Sequence, residues 1–599
     1  MDEEKAIERE EARGRSRTDT RMAREPHHQP PATRLILPTV TLFTLALLYL
    51  LLPQLHHDVA KPLIAITGGS SQEGHAANPD SKFKLHPEDH VYRNASTFTH
   101  HWRITSGDRR PDGVLKHVYL VNNDFPGPIL EARPGDRLTI TVQNALQDGE
   151  GLSLHWHGLY MRGANEFDGA SGITQSPIEA GTSFTYDFVV DWEQHGTFWW
   201  HAHHGVQRAD GLYGGLVVHD PAQWTDDQLS REEHLLLIGD WYHRPAVDAL
   251  RFYMHPGAFG LETVPDSILL NGHGLFNCSD AVPARPLDCQ TIAKPSAIQL
   301  DAEKRSLLRI VNVGAYAGFS VSAPGFLMQP VAVDGDHEIQ GSPSRSLGVL
   351  HPGERVTVLI EPESASQAVH EMKVSLDEDS FKYQNLALTS THRFPISLEG
   401  RLKENAHLVQ GAYELQDLES ISAAHDQSQI LPEKVNNTIV LYAITQKLAI
   451  LENEPHGFIN HTRWIPSRTP LLELPPREWD EFQFVPLIDY NKDSPAWVDI
   501  VLNNLDEDSH PFHLHGHDFW ILSKHSSSIN WGSYNPFEDD QPPGGAFNIA
   551  GAVRKDTVHV PRRGYAVLRF RADNPGIWMF HCHVLWHQAS GMSMAFEVR

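Results

Sequence analysis

Four His-x-His elements constrain this chain more than any other feature: His155-Trp156-His157, His201-Ala202-His203, His513-Leu514-His515 and His581-Cys582-His583. In an extended strand, residues i and i+2 face the same side. Each element therefore aims two imidazoles one way and its middle residue the other. Two elements lie near each end of the body, so their eight imidazoles converge only where those ends meet. A single pair is an ordinary core or surface feature. Four pairs point to metal, because imidazole is the commonest metal-binding side chain.

Composition narrows the classes. The chain has 599 residues, 40% of them hydrophobic, with 14 Trp and 25 Phe, enough for several sizeable cores. Lys and Arg number 49 against 76 Asp and Glu, a net charge of −27 that argues against a nucleic-acid partner. Short β-branched and aromatic runs such as 138–142 and 184–190, broken by Pro-Gly and Asn-Gly turns, predict an all-β chain of sandwiches. Residues 564–599 repeat the design of 181–220, a strand and then an aromatic run into paired histidines, which reads as an internal duplication. Between the copies, 232–401 has the same texture without His-x-His, and 402–430 is a polar connection. The expected units are 91–221, 232–401 and 430–599.

Ahead of the body, 35–52 runs 18 residues without a charge, which as a helix reaches roughly 27 Å. Five arginines (Arg15, Arg17, Arg21, Arg24, Arg34) lie in the 20 residues before it and only Lys61 in the 20 after it. That bias puts 1–34 in the cytosol, makes 35–52 a single transmembrane signal anchor, and leaves 53–90 as an extracellular or lumenal stalk. The rival is a cleaved signal peptide and a secreted protein, but 53–58 offers no small-x-small cleavage site. Export agrees with sequons at Asn94, Asn277, Asn436 and Asn460, and with Cys278 and Cys289, spaced to close a small disulfide loop.

Cys582 lies between two metal-directed imidazoles and so faces the opposite side of its strand, where it is free to serve a second centre. With His510, His587 and Met592 nearby, the donors are two imidazoles, a thiolate and a thioether, the set of a blue-copper site. The runs His155–Gly158, His201–His203, His510–Gly516 and His581–Met592 together resemble the four copper motifs of the multicopper oxidases, the laccases, ascorbate oxidases and ferroxidases. The resemblance runs from about Tyr92 to the C-terminus. It implies three cupredoxin-like Greek-key sandwiches and four copper ions. The type 1 ion would take His510, Cys582 and His587 with axial Met592, and the type 2 ion His155 and His513. The type 3 pair would take His157, His201, His203, His515, His581 and His583. It further implies that one-electron donors feed the type 1 site and that dioxygen is reduced to water at the other three ions.

Two carboxylates are candidates for proton handling. Asp168, before Gly169, resembles the family's acid near the type 2 copper. Asp266, five residues before Asn271-Gly272, resembles a carboxylate beside the type 1 site, and equally suits a turn after Pro265. The stretch Asn271–Ser279 resembles ascorbate oxidases, but Glu166 stands where that branch has an aromatic, and Leu585 where many relatives have an acid. An axial Met suggests a lower-potential site and easily oxidised phenols or naphthols, such as pigment or polyketide precursors. A ferroxidase working with an iron permease would need carboxylates around the type 1 site, for which Asp266 and Glu166 are the candidates. A non-catalytic copper-binding surface protein would be expected to lose ligands, and this chain keeps them all.

Overall fold

Alternating burial turns the β-branched runs into strands. In Arg137–Asn144, Leu138, Ile140, Val142 and Asn144 are buried while the residues between them are partly or fully exposed. The computed structural model describes residues 82–223, 231–363, 369–400, 414–529 and 532–599.

One pairing scheme occurs three times. Its spatial order is Lys116–Val121, Thr97–Arg109, Arg137–Asn144 and Ser183–Val189 in the first unit. In the second it is Ser267–Leu270, Glu232–Trp241, Ser306–Asn312 and Arg355–Pro362. In the third it is Pro455–Ile459, Asn437–Lys447, Ala496–Asn504 and Gly564–Ala572. Each set pairs antiparallel, then parallel, then antiparallel.

The companion sheets also match. Leu130–Ala132, Tyr213–Val218, Gly196–Ala202 and Leu154–His157 correspond to Leu487–Ile488, Ser593–Val598, Gly576–Cys582 and His510–Leu514. The middle unit repeats them as Ile298–Asp301, Thr391–Glu399, Val369–Leu376 and Phe319–Ser322, without a His-x-His. The duplication read in the sequence is thus one of three copies, of which two carry the histidines.

The middle sandwich closes its own apolar core around Phe319, Phe326 and Met372. The first and last share a continuous one, from Trp102, Trp156 and Trp200 to Phe512, Phe580 and Trp586. That shared core holds the two histidine-bearing sheets together.

The fold is mostly β, with short helices at Ala246–Met254 and Leu585–Ala589. The expected stalk packs from residue 82 onward: Phe83 and Leu85 are buried against Trp199, Leu235 and Val311. The body therefore extends N-terminal of the boundary drawn at 91, because two apolar side chains at i and i+2 find one face to cover. The apolar run 35–52 lies outside the described residues, and among the described residues no helix is long and apolar enough to cross a membrane.

Candidate copper centres

The register that sets His155 opposite His201 in the first sandwich sets His513 opposite His581 in the last. Trp156 and Trp200 in one, Phe512 and Phe580 in the other, turn into the core. The four His-x-His elements meet between the two sandwiches, and none of their eight histidines is more than 8% exposed.

One nitrogen of most of these rings is anchored outward. His155 Nδ1 donates to Asp168 O at 2.8 Å, His513 Nδ1 to Asp556 O at 2.9 Å and His515 Nδ1 to Asp168 Oδ2 at 2.9 Å. His201 Nδ1 and His581 Nδ1 donate to the carbonyls of Ala202 and Cys582, at 3.0 and 2.9 Å, the same device in both copies. His157 Nε2 donates to Thr557 Oγ1 at 3.1 Å. These bonds fix tautomers and aim the other nitrogens inward.

Inside, acceptors face acceptors. His155 Nε2 lies 3.4 Å from His513 Nε2, and His581 Nε2 lies 3.2 Å from His515 Nε2 and 3.5 Å from His203 Nε2. His157 Nδ1 and His201 Nε2 are buried with no hydrogen-bond partner. Burial, reinforced by a neighbouring imidazole or by Arg208, holds His157, His201, His203, His515, His581 and His583 well below the usual imidazole range. A cluster of neutral, inward-facing imidazoles with orphaned nitrogens fits metal cations, since ligating imidazoles must be neutral. Asp168 is fully buried, which opposes its charge, but His515 and His155 outweigh burial and hold its carboxyl well below the usual range.

On the opposite side of the His581–His583 strand, Cys582 Sγ lies 3.7 Å from both His510 Nδ1 and His587 Nδ1, which are 3.1 Å apart. Met592 is fully buried, and its carbonyl accepts the Cys582 N–H at 3.0 Å. Burial works against a charged His587, but hydrogen bonds to Cys582 and Glu262 prevail and push its pKa up to about 9. The outer nitrogens meet carboxylates: His510 Nε2 donates to Asp506 Oδ2 at 3.0 Å and His587 Nε2 to Glu262 Oε1 at 3.1 Å. Glu262 Oε2 is buried and has no partner.

Asp266 does not occupy that place. Its Oδ2 accepts the His243 N–H and its Oδ1 the Asn385 side chain, both at 2.9 Å, so it clamps the loop 378–390. Glu166 is exposed, on the turn Asn165–Phe167 that delivers Asp168. The carboxylates on the His587 and His510 imidazoles are instead Glu262, four residues before Asp266, and Asp506, four before His510. The second spacing was a signal the sequence offered.

Family models described as multicopper oxidase match residues 103–223, 232–389 and 478–599. The chain belongs to the multicopper oxidase family. It is an oxidoreductase that uses dioxygen and binds four copper ions. This multicopper oxidase is 30% identical over 540 residues to Laccase-1 of Cryptococcus neoformans var. grubii, covering 85% of this chain and 82% of that one. It is also 30% identical over 514 residues to the iron transport multicopper oxidase fetC of Epichloe festucae, covering 84% and 76%. Its cupredoxin-like fold matches Fet3p, a multicopper oxidase that functions in iron import, with a TM-score of 0.70 at 23% identity, covering 84% and 90%. The laccase of Botrytis aclada matches with a TM-score of 0.66 at 25% identity, covering 86% and 89%.

Proposed function

We propose that this multicopper oxidase oxidises phenolic or naphtholic donors at the type 1 site, and that Glu262 takes the donor's proton. The carrying observation is the Glu262 carboxylate, one oxygen on His587 and the other buried and free. A phenol losing an electron sheds its O–H proton, so a base beside the electron-accepting imidazole serves both transfers. Aromatic rings pack around it: Tyr253, fully buried, lies 6.0 Å from His587, and Phe381 packs on the buried Tyr316 at 5.8 Å. The loop 378–390, tied to Asp266 and to Asp508, encloses a cavity of about 480 Å³ whose lining mixes Phe381, Tyr383 and Leu388 with Glu378, Lys382 and Gln384.

The ligand assignment is the one that the motif resemblance implies, and the inward-facing nitrogens of His155, His513, His515 and His581 support it. His155 and His513 form the type 2 pair, with His157, His201, His203, His515, His581 and His583 for type 3. His510, Cys582, His587 and Met592 serve type 1. Bound copper supplies one-electron oxidation of the donor and reduction of dioxygen to water. Asp168 relays protons for that reduction through Oδ1, the oxygen left without a hydrogen-bond partner and 3.3 Å from His155 Nδ1.

Ferrous iron is the second reading, favoured by Asp506 and Asp508 near the type 1 imidazoles and by the similarity to fetC. Hard cations want several oxygen ligands. Here Asp506 accepts the Thr445 N–H with both oxygens, and Lys382 pairs with Asp508. Of Glu262, Asp506 and Asp508, Glu262 alone keeps a buried oxygen without a hydrogen-bond partner, which suits a proton better than an iron. Steady-state kinetics of the copper-loaded protein with a methoxyphenol, a dihydroxynaphthalene, ascorbate and Fe(II) separate the readings. The expected kcat/KM is on the order of tenfold or more higher for the phenols than for Fe(II). A preference for Fe(II) would move the protein to iron handling, with an iron permease as its partner.

The localisation is part of the same proposal: an exported catalytic body held by the anchor at 35–52. It is supported by the Cys278–Cys289 disulfide and by exposed Asn94, Asn277 and Asn436. Asn460 is engaged by Tyr442 and Val440 and is the least suited to carry a glycan.

A further inference from the structure

We infer that Arg355, from the middle sandwich that supplies no copper ligand, is a positioning residue for the oxygen-reducing cluster and acts through Asp556. Its guanidinium grips the Asp556 carboxylate with both arms, Nη1 to Oδ1 at 2.6 Å and Nη2 to Oδ2 at 2.5 Å. Both residues are at most 1% exposed. Asp556 in turn reaches two histidines from different sandwiches. Its Oδ1 lies 3.3 Å from His157 Nε2 and 3.4 Å from His513 Nδ1, and its carbonyl accepts the His513 Nδ1–H at 2.9 Å. Thr557 Oγ1 donates to Asp556 Oδ1 at 2.8 Å and stands 3.1 and 3.2 Å from the same two ring nitrogens. The two rings stack with centroids 3.7 Å apart.

The seating is built on both sides. Asp334, also of the middle sandwich, accepts the backbone N–H of Arg355 at 3.0 Å with one oxygen and those of Asp556 and Thr557 at 3.0 and 3.2 Å with the other. Arg355 Nε donates to Thr197 O, on the strand that leads to His201. Gly158, just after His157, leaves the space: a Cβ there would stand 2.6 Å from Arg355 Nη2 and 2.8 Å from Asp556 Oδ2, at a φ of +91°.

Two buried carboxylates and one guanidinium leave one net negative charge behind the ligands, the sign that suits a cationic cluster. The bidentate fork fixes where the Asp556 oxygens point, and through them the tautomer and tilt of His157 and His513. The middle sandwich is thereby coupled to a centre whose ligands all lie on the other two.

The inference rests on His157 and His513 being ligands, and the test uses the copper-loaded full chain. Arg355→Met is expected to keep the type 1 blue band, the donor KM and the anaerobic reduction rate. It should shift the type 2 electron paramagnetic resonance spectrum and slow reoxidation by dioxygen, or weaken copper retention, about 10–100-fold. Asp556→Asn should do the same, and the double variant should be no worse than Asp556→Asn alone. Arg355→Lys keeps the charge but not the fork, so it should shift the type 2 spectrum and recover only part of the rate. It carries the test should Arg355→Met not fold. A wild-type type 2 spectrum in the folded variants, or additive losses in the double variant, would overturn the inference. Fewer than four coppers in the wild type would instead overturn the ligand assignment on which it stands.

Discussion

Replacing Glu262 by Gln is expected to lower kcat/KM for phenols about 10²–10³-fold while leaving the blue band and the copper content unchanged. The amide retains an oxygen to accept the His587 Nε2–H, the contact made at 3.1 Å by Glu262 Oε1. What it loses is basicity at the second, unpartnered oxygen. Phenol oxidation should then wait for the donor's own ionisation, so the deficit should shrink as the pH rises toward a phenol's pKa of about 10. Fe(II) releases no proton when it gives its electron, and its oxidation should fall only a few-fold. Steady-state oxygen uptake across pH with both donors reads all of this. An equal loss for phenol and Fe(II), or a phenol deficit independent of pH, would remove Glu262 as the base.

Asp168→Asn should have the opposite kinetic signature. Asp168 binds His155 through its carbonyl at 2.8 Å and His515 through Oδ2 at 2.9 Å. Burial disfavours its charge, yet the two imidazoles keep the carboxyl well below the usual range, so Asp168 is ionised throughout the working pH range. An amide oxygen still accepts from His515, but the carboxylate oxygen that takes up and passes on a proton is gone. Anaerobic reduction by donor, followed as bleaching of the blue band, should proceed at the wild-type rate. Reoxidation of the reduced protein by dioxygen should slow by about 10²–10⁴-fold. Stopped-flow measurement of the two half-reactions separates these rates, and unimpaired reoxidation would exclude Asp168 from proton delivery.

The histidine cluster was legible because an i, i+2 repeat on a strand has only one geometric outcome, and four copies of it leave one meeting place. Asp168 was legible because, eleven residues after the first His-x-His and just before Gly169, it resembles the family's acid near the type 2 copper. The carboxylates at the type 1 site were not. Glu262 and Asp266 lie four residues apart on one segment, and the sequence does not say which of them turns toward His587. The His243 N–H and the Asn385 amide decide it by capturing Asp266. Arg355 and Asp334 were out of reach for a different reason. They sit in the unit without His-x-His and gain their role only when the middle sandwich packs beside Asp556. The third copy of the sandwich was blurred because its strands keep the pairing order while carrying no histidine marker.

An oxygen electrode and a dihydroxynaphthalene donor on the fully copper-loaded protein test four-electron oxygen reduction with phenolic donors. One dioxygen should be consumed for every four electrons removed from the donor, with no peroxide released. No uptake despite full copper loading, or uptake driven by Fe(II) alone, would contradict it.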